Sequence, residues 1–246
     1  TTKFGGSVGN FNAHRMSMPN VDWVEFGDKF ISVFGLERNQ YTTQIDHYDN
    51  YAEIFDILRR INVIFIDLSR DMWSYISRDY FSLKMSDGQV GSSAMPHKNN
   101  PIYFEKAEAN FLLSNSLWNL FSNTLPISRM QRDLRDSSLL RNVGSAFSYM
   151  LISLKSVEKG LDKLDINEKV INEELDSNSL VVLEGIVGRL KLVSNTNMYD
   201  LFKNVSRQKN SKEEIEKIIN SLDIEEDERK YLKTCKPNNF TGIYKL

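Results

Sequence analysis

The sequence has a single cysteine among its 246 residues, Cys235, so no disulfide can form within the chain. A chain so poor in cysteine is typical of a reducing compartment, and we expect a cytoplasmic protein. No uninterrupted apolar run approaches the ~18 residues that a membrane-spanning helix requires. The three histidines, His14, His47 and His97, have no partner at metal-ligand spacing, and neither HExxH nor CxxC occurs. We therefore expect no metal site and no membrane partner.

Neither sign of charge dominates the sequence, which has 31 Lys and Arg against 33 Asp and Glu. The net charge of -2 argues against a nucleic-acid partner bound through bulk charge, although a local basic cluster could bind an anion. Hydrophobic residues make up 41%, as in ordinary globular domains. The chain begins TTKFGGSVGN, with neither a start methionine nor a signal peptide, which suggests a processed chain or a fragment of a longer one.

Glycine and proline are absent between Gly35 and Gly88. Apolar residues recur in this window at the three- and four-residue steps of one helical face. The pattern predicts a helix over about 47–81, roughly 50 Å long, with Asp46 and Asp49 at its start. Its apolar stripe consists of Tyr51, Ile54, Leu58, Ile61, Phe65, Leu68, Met72 and Ile76.

Two further long helices are predicted after a polar loop at 88–101. Asn100 suits the N-cap of the first and Pro101 its first position, and no glycine or proline follows until Pro126. The second runs over about 137–159, with Gly160 as a C-terminal stop.

Beyond residue 160 the predicted helices shorten to 166–175, 180–193, 198–205 and 223–232, and Ser211 with Glu214 fits a capping box before another. No alternating β pattern is evident. We therefore predict an all-α protein: a long-helix bundle at 1–160, followed by a smaller C-terminal helical domain at 161–246.

Three polar segments are candidate sites. The loop GQVGSSAMPHKNNP at 88–101 places serines and Lys98 beside a helix N-terminus, a combination suited to an anion. The segment SRMQRDLRDSSLLRN at 128–142 has four arginines, whose planar forks suit carboxylate or phosphate, and two serines at a helix start. The segment YTTQIDHYDN at 41–50 offers Gln44 to a ligand.

A structural interpretation competes at each segment: an ordinary inter-helix loop, a salt-bridged surface and a capping turn. GGSVG at 5–9 lacks the spacing of a dinucleotide fingerprint, and no strand precedes it. The tryptophans Trp23, Trp73 and Trp118 lie on apolar stripes, so core packing is the better interpretation of each.

The stretch GSSAMPHKNNP resembles the signature GSSxMPxKxNP of the fumarase/aspartase superfamily. Together with QRDLRDSSLLRN, YTTQI and VGNFNAH, it is similar to the bacterial branch of the adenylosuccinate lyase family, over nearly the whole chain. The resemblance implies β-elimination of fumarate from adenylosuccinate, and from the succinyl-carboxamide ribotide intermediate of purine synthesis, without a cofactor or metal.

The same resemblance implies roles for individual residues. Ser92 would be the general base. Lys98 and Asn100 would hold the succinyl carboxylates, and Gln44 would contact the succinyl group or the nucleotide. The residues that would take the phosphate and neighbouring nucleotide groups are Arg132, Ser137 and Arg141.

The THxQ motif that carries the family's general-acid histidine is absent, and none of the three histidines occupies its place. The sequence thus resembles the C-terminal part of the family, and this part alone is expected to be inactive. The resemblance also implies a homotetramer with shared active sites. Two other interpretations stay open: a non-catalytic helical scaffold of the same fold, and a superfamily lyase that releases fumarate from another substrate.

Overall fold

The computed structural model describes residues 1–84, 100–194, 201–203 and 211–243. Contacts divide the chain into two compact units, Thr1–Asp165 and Ile166–Leu246. The helices are α1 (Asn12–Ser17), α2 (Trp23–Ser32), α3 (Asp49–Ser77), α4 (Ile102–Thr124), α5 (Arg135–Leu140), α6 (Val143–Asp162), α7 (Glu168–Ser177), α8 (Leu183–Val193), α9 (Ser211–Ser221) and α10 (Glu226–Thr234).

The all-α prediction is confirmed by this helical architecture. No helix in the described ranges is long and apolar enough to cross a membrane. The predicted domain boundary after residue 160 stays a prediction; the compact units separate after Asp165.

The core of the first unit lies among the three long helices α3, α4 and α6. One cluster is built on Trp118, whose ring stacks on Phe55 at 5.1 Å between centroids. A second cluster surrounds Phe111, which is fully buried. The prediction of core packing is therefore confirmed for Trp118, whereas Trp73 is 47% exposed and donates to Glu105 Oε1 at 3.1 Å, so the prediction was wrong there.

The most buried positions of α3 lie beside its predicted apolar stripe rather than on it. The buried positions are Ala52, Phe55, Asn62, Ile66 and Ser69. Small and polar side chains can occupy these buried positions because α4 and α6 approach α3 closely. Inside the core, Asn62 Nδ2 donates to Ser114 Oγ at 3.1 Å. Within the predicted stripe, Tyr51, Ile54 and Ile61 are exposed. The other five residues are half-buried: Leu58, Phe65, Leu68, Met72 and Ile76.

The helix boundaries differ from the predictions at several points. Pro101 is the N-cap of α4, one position later than expected, so Asn100 is not the cap. Tyr48 is the N-cap of α3, and His47 Nδ1 accepts the Asp49 N–H at 3.2 Å. The predicted helix at 137–159 is two helices, since the chain breaks at Asn142, the N-cap of α6.

Gly160 is not a helix stop, because α6 continues to Asp162. A Cβ at this position would lie 2.7 Å from the ring of Phe104. The glycine therefore serves the close packing of α6 on α4.

Several elements carried no recognised signal. Helices α1 and α2 were not predicted, nor were the strands β1 (Phe81–Leu83) and β2 (Leu164–Ile166), which pair with each other. Three-residue strands are too short to show an alternating pattern.

The second unit has its own apolar core of short helices. Its buried residues are Val182, Ile186, Leu190, Phe202, Ile215, Ile219, Leu222 and Leu232. The predicted short helices at 166–175, 180–193 and 223–232 correspond to α7, to a 3₁₀ turn (Ser179–Val182) followed by α8, and to α10. Most of the helix predicted at 198–205 lies outside the described residues, as does the side chain of Ser211, on which the capping box depends.

Candidate functional site

The N-terminal segment packs against the segment that precedes α3. Thr2 and Arg38 form a parallel bridge, with the Thr2 N–H donating to Glu37 O and the Asn39 N–H to Thr2 O, both at 2.8 Å. Gly9 has φ 88°, and a Cβ there would lie 2.0 Å from Thr42 O. This close backbone approach therefore requires at least one glycine of the GGSVG stretch.

Gln44 lies where three segments meet. Its backbone N–H donates to Gln131 O at 3.3 Å, and its own carbonyl accepts from Lys3 Nζ at 2.9 Å. The structure thus brings together two of the three candidate segments, 41–50 and 128–142. The Gln44 side chain is exposed.

A buried carboxylate, Asp136, fixes Arg132 in this region. Arg132 Nη2 donates to Asp136 Oδ2 at 3.2 Å and to Oδ1 at 3.4 Å. The Tyr48 hydroxyl donates to Oδ2 at 3.0 Å across 88 residues of sequence, and the Ser137 N–H donates to Oδ1 at 2.7 Å. The carboxylate is 6% exposed, so these donors replace the water it loses on folding.

Tyr48 is held in its neutral, donating form. Burial, and after it the hydrogen bond to the Asp136 carboxylate, raises the pKa of Tyr48 from 10.0 to about 12. The Tyr48 hydroxyl therefore stays protonated and donates a hydrogen bond to Asp136 throughout the physiological pH range.

A second carboxylate, Asp133, holds two other arginines of the cluster. Arg135 Nη2 lies 2.9 Å and Arg129 Nη1 3.4 Å from Asp133 Oδ2. The Arg135 hydrogen bond is the main cause that lowers the pKa of Asp133 from 3.8 to about 2. Arg135 also donates to Ile127 O at 2.7 Å, so it closes the turn before α5. These pairs match the structural interpretation, a salt-bridged surface, for Arg129 and Arg135.

The remaining predicted residues are placed differently. Arg141 is exposed, and its side chain forms no ion pair or hydrogen bond with any described residue. Asn100 is half-buried, and within the described ranges its carbonyl accepts the Ile102 N–H at 2.8 Å. No hydrogen bond among the described residues joins it to Gln44 or Arg132. Ser92 and Lys98 lie outside the described residues.

One feature of the predicted phosphate site needs correction. The Ser137 backbone N–H is not available to a ligand, because Asp136 Oδ1 already accepts it at 2.7 Å. What Ser137 can offer is its side-chain hydroxyl.

Two residues of this arrangement were not singled out from the sequence. Tyr48 had no distinguishing signal, because its contact with Asp136 is long-range. Asp136 had one, since it is an acidic residue within a cluster of arginines, where a carboxylate is expected to pair with a guanidinium. Among the described residues, no three His, Cys, Asp or Glu side chains are grouped as metal ligands would be.

Comparison with known proteins gives family matches along most of the chain. The family described as adenylosuccinate lyase C-terminal matches residues 128–241, and the family described as lyase matches residues 1–111. A crystal structure of a cobalt-bound fumarate lyase:delta crystallin from Brucella melitensis has a TM-score of 0.58 at 14% identity, covering 82% of this chain and 44% of that one. At this identity the likeness shows the fold alone.

Curated relatives agree with these matches. The chain is 47% identical to the adenylosuccinate lyase of Dictyostelium discoideum, 46% to that of Legionella pneumophila strain Corby and 42% to that of Escherichia coli K12. The alignments cover 98–99% of this chain and 53% of each relative. The chain therefore belongs to the adenylosuccinate lyase family and spans about half the length of the curated relatives it matches.

Proposed function

We propose that this protein cleaves adenylosuccinate into AMP and fumarate, and the succinyl-carboxamide ribotide in the same way, in purine nucleotide biosynthesis. The main structural support is the position of Arg132. Its guanidinium donates to the buried Asp136 carboxylate, and its segment contacts Gln44. A fixed guanidinium with donors to spare suits a phosphate, which a substrate with carboxylates alone would not present. Family membership supports the same reaction.

The proposed chemistry is a general-base elimination. Ser92 removes the proton from the carbon beside a succinyl carboxylate, and the resulting aci-carboxylate carries an additional negative charge. Lys98 and Asn100 hold the carboxylates and stabilise that charge, which is usually the largest catalytic contribution. A general acid protonates the departing nitrogen; we place this acid in the half of the family's length that the chain does not span.

The nucleotide end of the substrate is assigned to three side chains beside α5 and to Gln44. Arg132 and Arg141 bind the phosphate and neighbouring groups, and the Ser137 hydroxyl donates to them. Arg141 supports this role because it has no counter-ion among the described residues, so phosphate would supply one. The reaction requires neither a metal nor a cofactor.

The proposal includes a cytoplasmic homotetramer with shared active sites. Support comes from α3, where Ile54, Ile57 and Ile64 are 51%, 48% and 68% exposed. Apolar side chains at helical spacing on a long helix are typical of an interface between subunits.

The test is an ultraviolet assay of adenylosuccinate cleavage by the complete gene product, with argininosuccinate as the control substrate. Selective release of fumarate from adenylosuccinate is expected. Release from argininosuccinate alone would establish a different lyase of the superfamily. A folded protein that releases fumarate from neither substrate would overturn the proposal and favour the scaffold alternative.

A further inference from the structure

Resting on the function proposed above, we propose that Asp136 is a positioning residue for nucleotide binding: its carboxylate, itself fixed by the Tyr48 hydroxyl, orients the Arg132 guanidinium toward the phosphate. Neither Asp136 nor Tyr48 is assigned a contact with the substrate. Their effect is transmitted through Arg132.

Both oxygens of the Asp136 carboxylate accept hydrogen bonds. Oδ2 accepts from the Tyr48 hydroxyl and from Arg132 Nη2, and Oδ1 accepts from the Ser137 N–H and from the same Nη2. A carboxylate this buried is stable only when it is paired and hydrogen-bonded. Asp136 therefore has one orientation, and it holds the Nη2 end of the Arg132 guanidinium in place.

Arg132 and Arg135 differ in how many of their donor nitrogens the protein itself occupies. Arg135 uses Nε and Nη2 on Asp133 and also donates to Ile127 O, so it is occupied by the protein itself. Arg132 is held through Nη2 alone, and its Nε is buried without a partner in the described part of the chain. An arginine that is fixed at one nitrogen and keeps donors to spare is suited to an anionic ligand.

The backbone of Tyr48 is strained. This residue has φ 60°, a left-handed conformation that is uncommon for a bulky side chain. Its ring packs at the edge of the Phe55 and Trp118 cluster, so the core determines where the hydroxyl lies. A strained backbone thus holds a hydroxyl at one oxygen of Asp136.

The experiment measures steady-state kinetics of the full-length protein and of two variants. Asp136→Asn keeps an acceptor for the Ser137 N–H and removes the charge that holds Arg132. We expect the KM for adenylosuccinate to rise about ten- to hundredfold, the effect of weakening one charge-assisted hydrogen bond to the ligand, while kcat changes far less. Asp136→Glu restores the charge and should recover part of the loss. A fall in kcat at unchanged KM would overturn the proposal.

A second measurement does not depend on turnover. Phenylglyoxal labelling, mapped by peptide mass spectrometry, reports the accessibility of each arginine. In the wild type, AMP should protect Arg132; in Asp136→Asn and Tyr48→Phe, labelling of Arg132 should rise while that of Arg135 stays low. Unfolding would raise both. If Arg132 labelling is unchanged in both variants, or AMP does not protect it, the proposal is overturned.

The matched control is Glu228→Gln, which removes the carboxylate partner of Arg189 in the second unit. It should raise labelling of Arg189 and leave the KM and Arg132 labelling unchanged. The two proposals fail separately: a wild type that does not cleave adenylosuccinate refutes the function, whereas the labelling results decide the role of Asp136 in either case.

Discussion

Gly160 of α6 lies against the ring of Phe104 in α4, so closely that a Cβ would approach Phe104 Cζ to 2.7 Å. Phe104 is 1% exposed, so its ring is enclosed by the core. The two helices can approach this closely only because residue 160 has no side chain.

Gly160→Ala should therefore destabilise the protein by about 1–3 kcal/mol, the cost of overpacking a close-packed core. The higher helix propensity of alanine, ~1 kcal/mol, opposes the effect without cancelling it. Urea unfolding monitored by circular dichroism measures the difference in the free energy of unfolding.

Gly144 provides the matched control in the same helix, since nothing lies within 4 Å of a Cβ built there. Gly144→Ala should be stabilising by about 0.4–1 kcal/mol. Equal effects of the two substitutions would contradict the packing role of Gly160.

These glycines show what a sequence can and cannot predict. The apolar periodicity located α3, because helix period is a local property. Helix α4 was located by its start signal at 100–101 and by the absence of glycine and proline before Pro126. It did not distinguish the buried face of α3 from the exposed one, since both carry apolar residues and the buried face includes Asn62 and Ser69. Gly160 was interpreted as a helix stop, because its partner Phe104 lies 56 positions earlier and no local pattern indicates their contact.

The candidate site, like the fold, could be predicted from the sequence only in part. The arginines and Gln44 were recognisable from residue type and motif, whereas the pairing of Tyr48 with Asp136 depends on the packing of segments 88 residues apart. Residue type alone did not separate Arg132 from Arg135, and only the family resemblance named Arg132. The physical difference between them lies in which donors the protein itself occupies.

The stability of the protein should fall in acid partly through Asp133. Its pKa is lowered from 3.8 to about 2, mainly by the Arg135 hydrogen bond. A lowered pKa in the folded state contributes stability that is present above pH 3.8 and is lost as the pH falls toward 2. Asp133→Asn should therefore be less stable than the wild type at pH 6 and lose less stability between pH 4 and 2.

Thermal melts at pH 6, 4, 3 and 2 would measure this dependence. Asp71→Asn is the control, because Asp71 is exposed and forms no ion pair with a described residue. If both variants follow the same pH profile as the wild type, Asp133 makes no such contribution.

A charge on the exposed face of α3 should break the proposed tetramer. In Ile64→Asp, the carboxylate would be buried without a partner at the interface, at a cost of several kcal/mol per site. Light scattering after size-exclusion chromatography should show a smaller species. Val33→Asp, at a position 80% exposed and outside α3, should keep the native mass. A tetramer that survives Ile64→Asp would rule out this face as the interface.

Ser92→Ala in the full-length protein should lower kcat by about 10²–10⁴, the usual contribution of a general base. AMP binding should persist, because the phosphate contacts are assigned to other residues. Turnover is followed by the ultraviolet assay and AMP affinity by calorimetry. Unchanged turnover would remove Ser92 from the mechanism, and Ser82→Ala, in strand β1, controls for loss of a serine hydroxyl.

Arg141→Ala should separate the two ends of the substrate. If Arg141 binds the phosphate, its loss removes a charge-assisted hydrogen bond, and the Kd for AMP should rise about tenfold or more. Fumarate has no phosphate, so its inhibition constant should stay the same. Arg129→Ala is the control, because that exposed arginine is already paired with Asp133. Since Arg141 has no counter-ion among the described residues, its removal should cost little stability. An equal loss of AMP and fumarate affinity would remove the phosphate role of Arg141.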